Sequence, residues 1–165
     1  MTLLTLTRRL TMLACFAIPL SSTHAAESTG TAALSTDSAA LTRCCNGDPA
    51  TYQAFGEKAG IERLMHVFME GLIADARTRP FFENQNQARI VAQLTDQVCY
   101  ALEGPCVYSG RAMKQTHQNL VLDRSHFNAL VEVLQTAMDQ AGIPFRSQNK
   151  LLAVFAPMER DIVTR

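Results

Sequence analysis

From Ala59 onward, apolar side chains recur at helical spacing. Ile61, Leu64, Met65, Phe68 and Leu72 fall at i, i+3, i+4, i+7 and i+11, one face of a helix of about four turns. Ile90, Leu94, Val98 and Ala101 make a second stripe, ended by Gly104-Pro105, because proline offers no amide donor and restricts the residue before it. A third stripe, Phe127, Leu130, Val131, Leu134 and Met138, starts behind Asp123 or Ser125 as N-cap and stops at Gly142 and Pro144. Leu151, Phe155, Met158 and Ile162 form a fourth. The segments 75–87 and 103–110 hold Pro80, Gly104, Pro105 and Gly110 and read as irregular connections with short turns. Strand alternation of useful length and internal repeats are absent, so the pattern predicts an all-α domain of about four main helices.

The first 26 residues follow a different logic. Arg8 and Arg9 precede the apolar run Leu10 to Leu20, and small residues up to Ala25 and Ala26 follow, the order of a cleaved export signal. The run is short for a bilayer span, so the remainder is expected to be exported, to a periplasmic compartment, without a stable membrane anchor. Thr7-Arg8-Arg9-Leu10 also has the look of a twin-arginine signal. A lipoprotein reading through Cys15 is disfavoured, because Phe16 to Leu20 continue the apolar run beyond it. Residues 27–48, rich in Ser, Thr and Ala as far as Arg43, read as a flexible linker, leaving 49–165 as one folded domain. The whole chain is formally neutral with no basic block, which gives nucleic-acid binding no support.

Beyond the leader stand Cys44, Cys45, Cys99 and Cys106. Cys99 and Cys106 flank the Gly-Pro turn closely enough for a bridge that would pin a helix end to the following loop, while the adjacent Cys44 and Cys45 would pair with each other only under strain. Spacing alone does not fix the connectivity. Zinc-ligand spacing is lacking, and so is Cys-x-x-Cys-His, so covalent haem attachment of the cytochrome c kind is not encoded. His117 is the most constraining residue. If Arg111 to His117 is helical, Met113 and His117 share one face, and a thioether and an imidazole project together. Such a pair suits a flat, apolar, iron-bearing ligand whose axial histidine donates its other ring nitrogen to a nearby carbonyl. A packing or capping histidine is the plainer alternative.

Further residues narrow that choice. Gly56, Ala59-Gly60-Ile61, Phe68, Ala74-Asp75, Pro80-Phe81-Phe82, Gly104-Pro105, Tyr108-Ser109-Gly110, Met113 with His117, and His126-Phe127 give the chain from Tyr52 to Val163 its similarity to a known family. It resembles the group I truncated haemoglobins, whose fold is a two-over-two sandwich of globin helices. The resemblance implies haem b as cofactor, with His117 as the metal ligand. It implies Phe82 wedged against the porphyrin and Phe68, Phe81, Met113, Leu122 and Phe127 lining it. Burying a haem among such side chains removes apolar surface worth on the order of 10 kcal/mol before ordering costs. Individually, Phe81 and Phe82 fit plain core packing as well, and His126 reads better as a helix-start residue than as a ligand.

On the distal side the family commonly offers a tyrosine and a glutamine as hydrogen-bond donors; the matching positions here are Met69 and Leu94, with Ile90 facing the iron from the start of the second stripe. An apolar pocket of this kind cannot donate. A charge-assisted donor contributes roughly 1.5–3 kcal/mol, so oxygen is expected to leave quickly relative to carbon monoxide and nitric oxide. Gln93 or Gln97 swinging inward would restore a donor, and Met69 or His66 would offer a sixth ligand. The expected function is reversible binding of diatomic gases, oxygen binding or carriage first. The alternatives are a nitric oxide dioxygenase, which needs an electron donor and a stable oxy form, and an electron-transfer haem protein.

Overall fold

The computed structural model describes residues 49–165; the expected leader and linker, with Cys44 and Cys45, lie outside the described residues. The four stripes fold as α2 (Glu57–Ala74), α4 (Gln87–Ala101), α6 (Arg124–Gln140) and α7 (Phe145–Phe155). Short helices join them: α1 (Pro49–Ala54), α3 (Arg79–Phe82), α5 (Met113–His117) and α8 (Glu159–Ile162). At 18 residues α2 runs longer than its stripe, because Gly56, at φ 73°, turns the chain out of α1 and lets the helix start at Glu57. The fourth stripe is not one helix. Pro157 cannot donate to the preceding turn, and the chain passes through a 3₁₀ turn, Ala156–Met158, before α8.

Helix ends follow local chemistry. Asn86 caps α4 by accepting from the Arg89 amide at 3.0 Å. Asp123 caps α6, accepting from the amides of Ser125 at 2.8 Å and His126 at 3.1 Å, while His126 Nδ1 accepts from the Asp123 amide at 3.2 Å. His126 is thus a capping residue. Gly142, at φ 67°, closes α6 as expected. At the end of α4 the left-handed residue is Glu103, at φ 62°, and not a glycine. The Glu103 and Gly104 amides donate back to Tyr100 and Cys99 carbonyls at 3.0 and 2.8 Å. Gly104 is required for space: a Cβ there would stand 2.7 Å from Cys99 Sγ and 2.5 Å from the Tyr52 ring.

Packing is in two layers of helix pairs. α2 lies on both α4 and α6, and α7 lies on α4 and α6, around a core that includes Ile61, Leu64, Met65, Leu72, Val98, Met138 and Leu151. α2 and α6 approach closely at Gly71, where a Cβ would meet Val133 Cγ1 at 2.6 Å. Among the described residues there is no strand, and no helix is long and apolar enough to cross a membrane.

The turn after α2 sets the place of Phe81 and Phe82. Thr78 Oγ1 donates to the Leu72 carbonyl at 2.7 Å, and the Arg79 guanidinium donates to Ile73 and Ala74 carbonyls at 2.7 and 2.9 Å, so α2's terminal carbonyls are met by the first residues of the α3 turn. Arg77 bridges Asp75, at 2.6 Å, to Glu132 of α6, at 2.8 Å. The side-chain and backbone hydrogen bonds from Arg77 lower the Asp75 carboxyl from its usual 3.8 to about 2. A depressed carboxylate contributes stability above its unfolded value and loses it as pH falls through the folded one. Acid titration of wild type and Asp75→Asn should therefore show a stability gap that is constant above about pH 4 and closes toward pH 2. A gap unchanged at pH 2 would remove this ion pair from the account.

Candidate functional site

The five-residue helix α5 buries none of its own side chains. Its position comes from its two flanking loops and from α8, on which it packs. On the entry side Cys99 and Cys106 form a disulfide with Cα atoms 5.8 Å apart, tying the end of α4 to the loop that leads into α5. On the exit side the chain's last residues act as a strap. Thr164 Oγ1 accepts from the Leu122 amide at 2.9 Å and donates to the Leu120 carbonyl at 2.8 Å, and the Thr164 amide donates to the Leu122 carbonyl at 2.8 Å.

Closing a loop of this length by a disulfide stabilises by about 2–3 kcal/mol, roughly 10 °C in Tm for a domain of this size. Cys99→Ala with Cys106→Ala should lower the melting temperature by about that much, read by far-ultraviolet dichroism. A shift of only a degree or two would mean that the loop is held by other contacts.

His117 is half-buried, and its Nδ1 donates to the Met113 carbonyl at 2.7 Å. The acceptor is the helix's first carbonyl, one turn back, and not one of the unpaired carbonyls at its end. A carbonyl only accepts, so the proton sits on Nδ1 and Nε2 keeps its lone pair for an electrophile or metal. Among the described residues no group of three His, Cys, Asp or Glu side chains could hold a bare metal ion.

The other site residues fall into two banks. Phe68 and Met69, 3 and 4 % exposed, belong to the main core, and half-buried Phe82, Ile90 and Leu94 pack against it. Met113, Leu122, Phe127 and Phe81 stand apart from that cluster, although Leu122 is buried and the others half-buried. Phe81 instead sets its ring edge-on to His126, centroids 5.1 Å apart. Apolar side chains withheld from the core, together with an imidazole whose second nitrogen is free, fit a flat apolar metallocycle in their chemistry.

Ile90, Leu94 and Gln97 share one face of α4. The two glutamines that sequence left open separate here: Gln93 is exposed, and Gln97 is 6 % exposed with its Nε2 3.8 Å from Met113 Sδ and 3.9 Å from Met158 Sδ. His66 is exposed and lines an outer groove of about 510 Å³ between α2 and α4, with Met69, Glu70, Ile73 and Val91. In the sequence Met158 is legible only as part of an apolar stripe, and Thr164 carries no local signal, because its role depends on a partner more than 40 residues away.

Three comparisons with known proteins bear on the family and the fold. Residues 50–164 match the family model described as bacterial-like globin. A group 1 truncated hemoglobin of Mycolicibacterium paratuberculosis is 30% identical over 125 residues, covering 75% of this chain and 92% of the relative. Among solved structures, the Fe(III) truncated hemoglobin of Tetrahymena pyriformis superposes with a TM-score of 0.66 at 25% identity, covering 70% of this chain and 98% of that one. The 2/2 hemoglobin of Synechococcus sp., in its cyanomet state with covalently attached heme, gives 0.65 at 25% identity and the same coverage. The chain belongs to the bacterial-like globins, among the group 1 truncated haemoglobins, a family whose prosthetic group is haem and whose ligands are small gases.

Proposed function

We propose that this protein is an exported haem b globin that reversibly binds oxygen, carbon monoxide and nitric oxide, with His117 as the sole protein ligand to iron. The observation that carries this reading is the 2.7 Å bond from His117 Nδ1 to the Met113 carbonyl, which fixes the tautomer a neutral axial imidazole needs. Haem, when bound, would supply an iron able to take up a small diatomic gas reversibly. The chain's own residues do the rest. His117 holds the metal, Phe68, Phe81, Phe82, Met113, Leu122 and Phe127 enclose the ring, and Met69, Ile90 and Leu94 keep water from the gas side.

None of those three distal side chains carries an N–H or O–H donor. Gln97 is inside, but its amide is directed at two sulfurs, which supports a pocket that holds oxygen weakly. Binding with rapid release suits carriage better than dioxygenation of nitric oxide, which requires a long-lived oxy form and an electron donor. A second reading is an electron-transfer protein with the Met69 thioether as sixth ligand. Spectra of the purified protein separate them. Five-coordinate ferrous iron that takes up carbon monoxide, and oxygen reversibly, is expected; a low-spin ferric signal without added ligand would favour electron transfer, and failure to take up hemin would end both readings.

A further inference from the structure

The described residues hold five methionines, of which Met65, Met69 and Met138 are at most 4 % exposed, while Met113 and Met158 are half-buried, Met158 outside the set that encloses the ring. These two come from distant parts of the chain, yet their sulfurs converge on one donor, Gln97 Nε2, at 3.8 and 3.9 Å. Gln97 is itself 6 % exposed, and those thioethers are the acceptors its amide has. A thioether is a weak acceptor, so a buried donor is left with poor partners. That arrangement would gain most from an oxygen atom placed on sulfur.

We propose that Met113 and Met158 form a sulfoxidation site served by Gln97, with a small hydroperoxide as oxidant. The sulfur lone pair attacks the peroxide's terminal oxygen, an S–O bond forms and the O–O bond breaks. Sulfur loses two electrons, the peroxide gains two, and the departing oxygen leaves as water or alcohol with the peroxide's own proton. A sulfoxide oxygen formed on the side of either sulfur that faces Gln97, off the direct N···S line, comes within hydrogen-bond reach of Nε2 and is a far stronger acceptor than the thioether. Oxidation of methionine usually disrupts a fold by placing a polar group among apolar ones. Here it satisfies a buried donor, and it ties α5 to α4 through Met113, whose own carbonyl holds His117. The local chemistry stands on these three side chains alone; its consequence for iron rests on His117 as the proximal ligand.

The test uses the purified ferric protein with its iron capped by cyanide, treated with graded hydrogen peroxide and mapped by peptide mass spectrometry. Met113 or Met158 should gain oxygen at least about tenfold faster than Met65, Met69 and Met138. Oxidised wild type should melt no lower than the untreated protein, whereas oxidised Gln97→Leu should melt several degrees below its own untreated form. Equal losses in both proteins, or first oxidation at a different methionine, overturn the proposal. If Gln97→Leu does not fold, the Gln97 side-chain amide resonance in wild type decides: a downfield shift with slower exchange on oxidation supports the site, and no change overturns it. Failure of the haem assignment would show separately, as a missing Soret band.

Discussion

His117→Gly should release hemin at least about 100-fold faster than wild type and lose most of its Soret absorption, while its far-ultraviolet dichroism stays the same. Removing a hydrogen-bond partner of a metal ligand already costs about 10–100-fold in affinity, so removing the ligand itself should cost no less. The fold should survive because α5 buries none of its own side chains and does not hold the core together. Added imidazole should restore part of the Soret band, since the enclosing apolar side chains are untouched. His126→Asn supplies the contrast. That ring reaches the Asp123 amide and the edge of Phe81, so its loss should weaken the start of α6 by about 1 kcal/mol and leave the spectrum in place. A full-strength Soret band in His117→Gly, with hemin transfer to an acceptor globin no faster than from wild type, would remove the histidine from the site.

Much of this was legible in the sequence, for reasons that differ from element to element. The long helices announce themselves because each buries one stripe, and a stripe is a local property: Ile61 to Leu72 and Phe127 to Met138 need no knowledge of their partners. Caps are local too, and Asp123 was readable as one. The break in the last stripe was missed because periodicity carries through Met158 and Ile162 although Pro157 divides the backbone between them. Glu103 in a left-handed conformation went unread because the neighbouring glycine was the more obvious breaker, and Gly104's real constraint is a ring from α1. Within the site, Met113 and His117 could be paired by spacing alone. Whether Gln93 or Gln97 pointed inward could not, since the two lie one turn apart and only the packing of α4 against its neighbours distinguishes them. The strap made by Thr164 lay beyond any local pattern.

Leu94→Gln should slow oxygen dissociation by about 10–150-fold while changing carbon monoxide binding much less, as measured by stopped-flow displacement and flash photolysis. The range follows from one charge-assisted hydrogen bond of roughly 1.5–3 kcal/mol in a site shielded from water, at tenfold per 1.4 kcal/mol. Carbon monoxide acquires little negative charge, so the same donor does little for it. Leu94 is the better of the two places to introduce a donor. It is half-buried, at the edge of the core, whereas Met69→Tyr would place a hydroxyl at a position only 4 % exposed, with the cost of an unpaired polar group to offset. Met69→Tyr should therefore slow oxygen release as well, but with lower thermal stability than Leu94→Gln. Gln97→Leu completes the series. Because that amide is directed at Met113 and Met158, its removal should leave oxygen release nearly unchanged. Were Gln97→Leu to speed release about tenfold, and Leu94→Gln to add nothing, the wild-type pocket would already contain its donor, and the weak oxygen binding proposed here would be wrong.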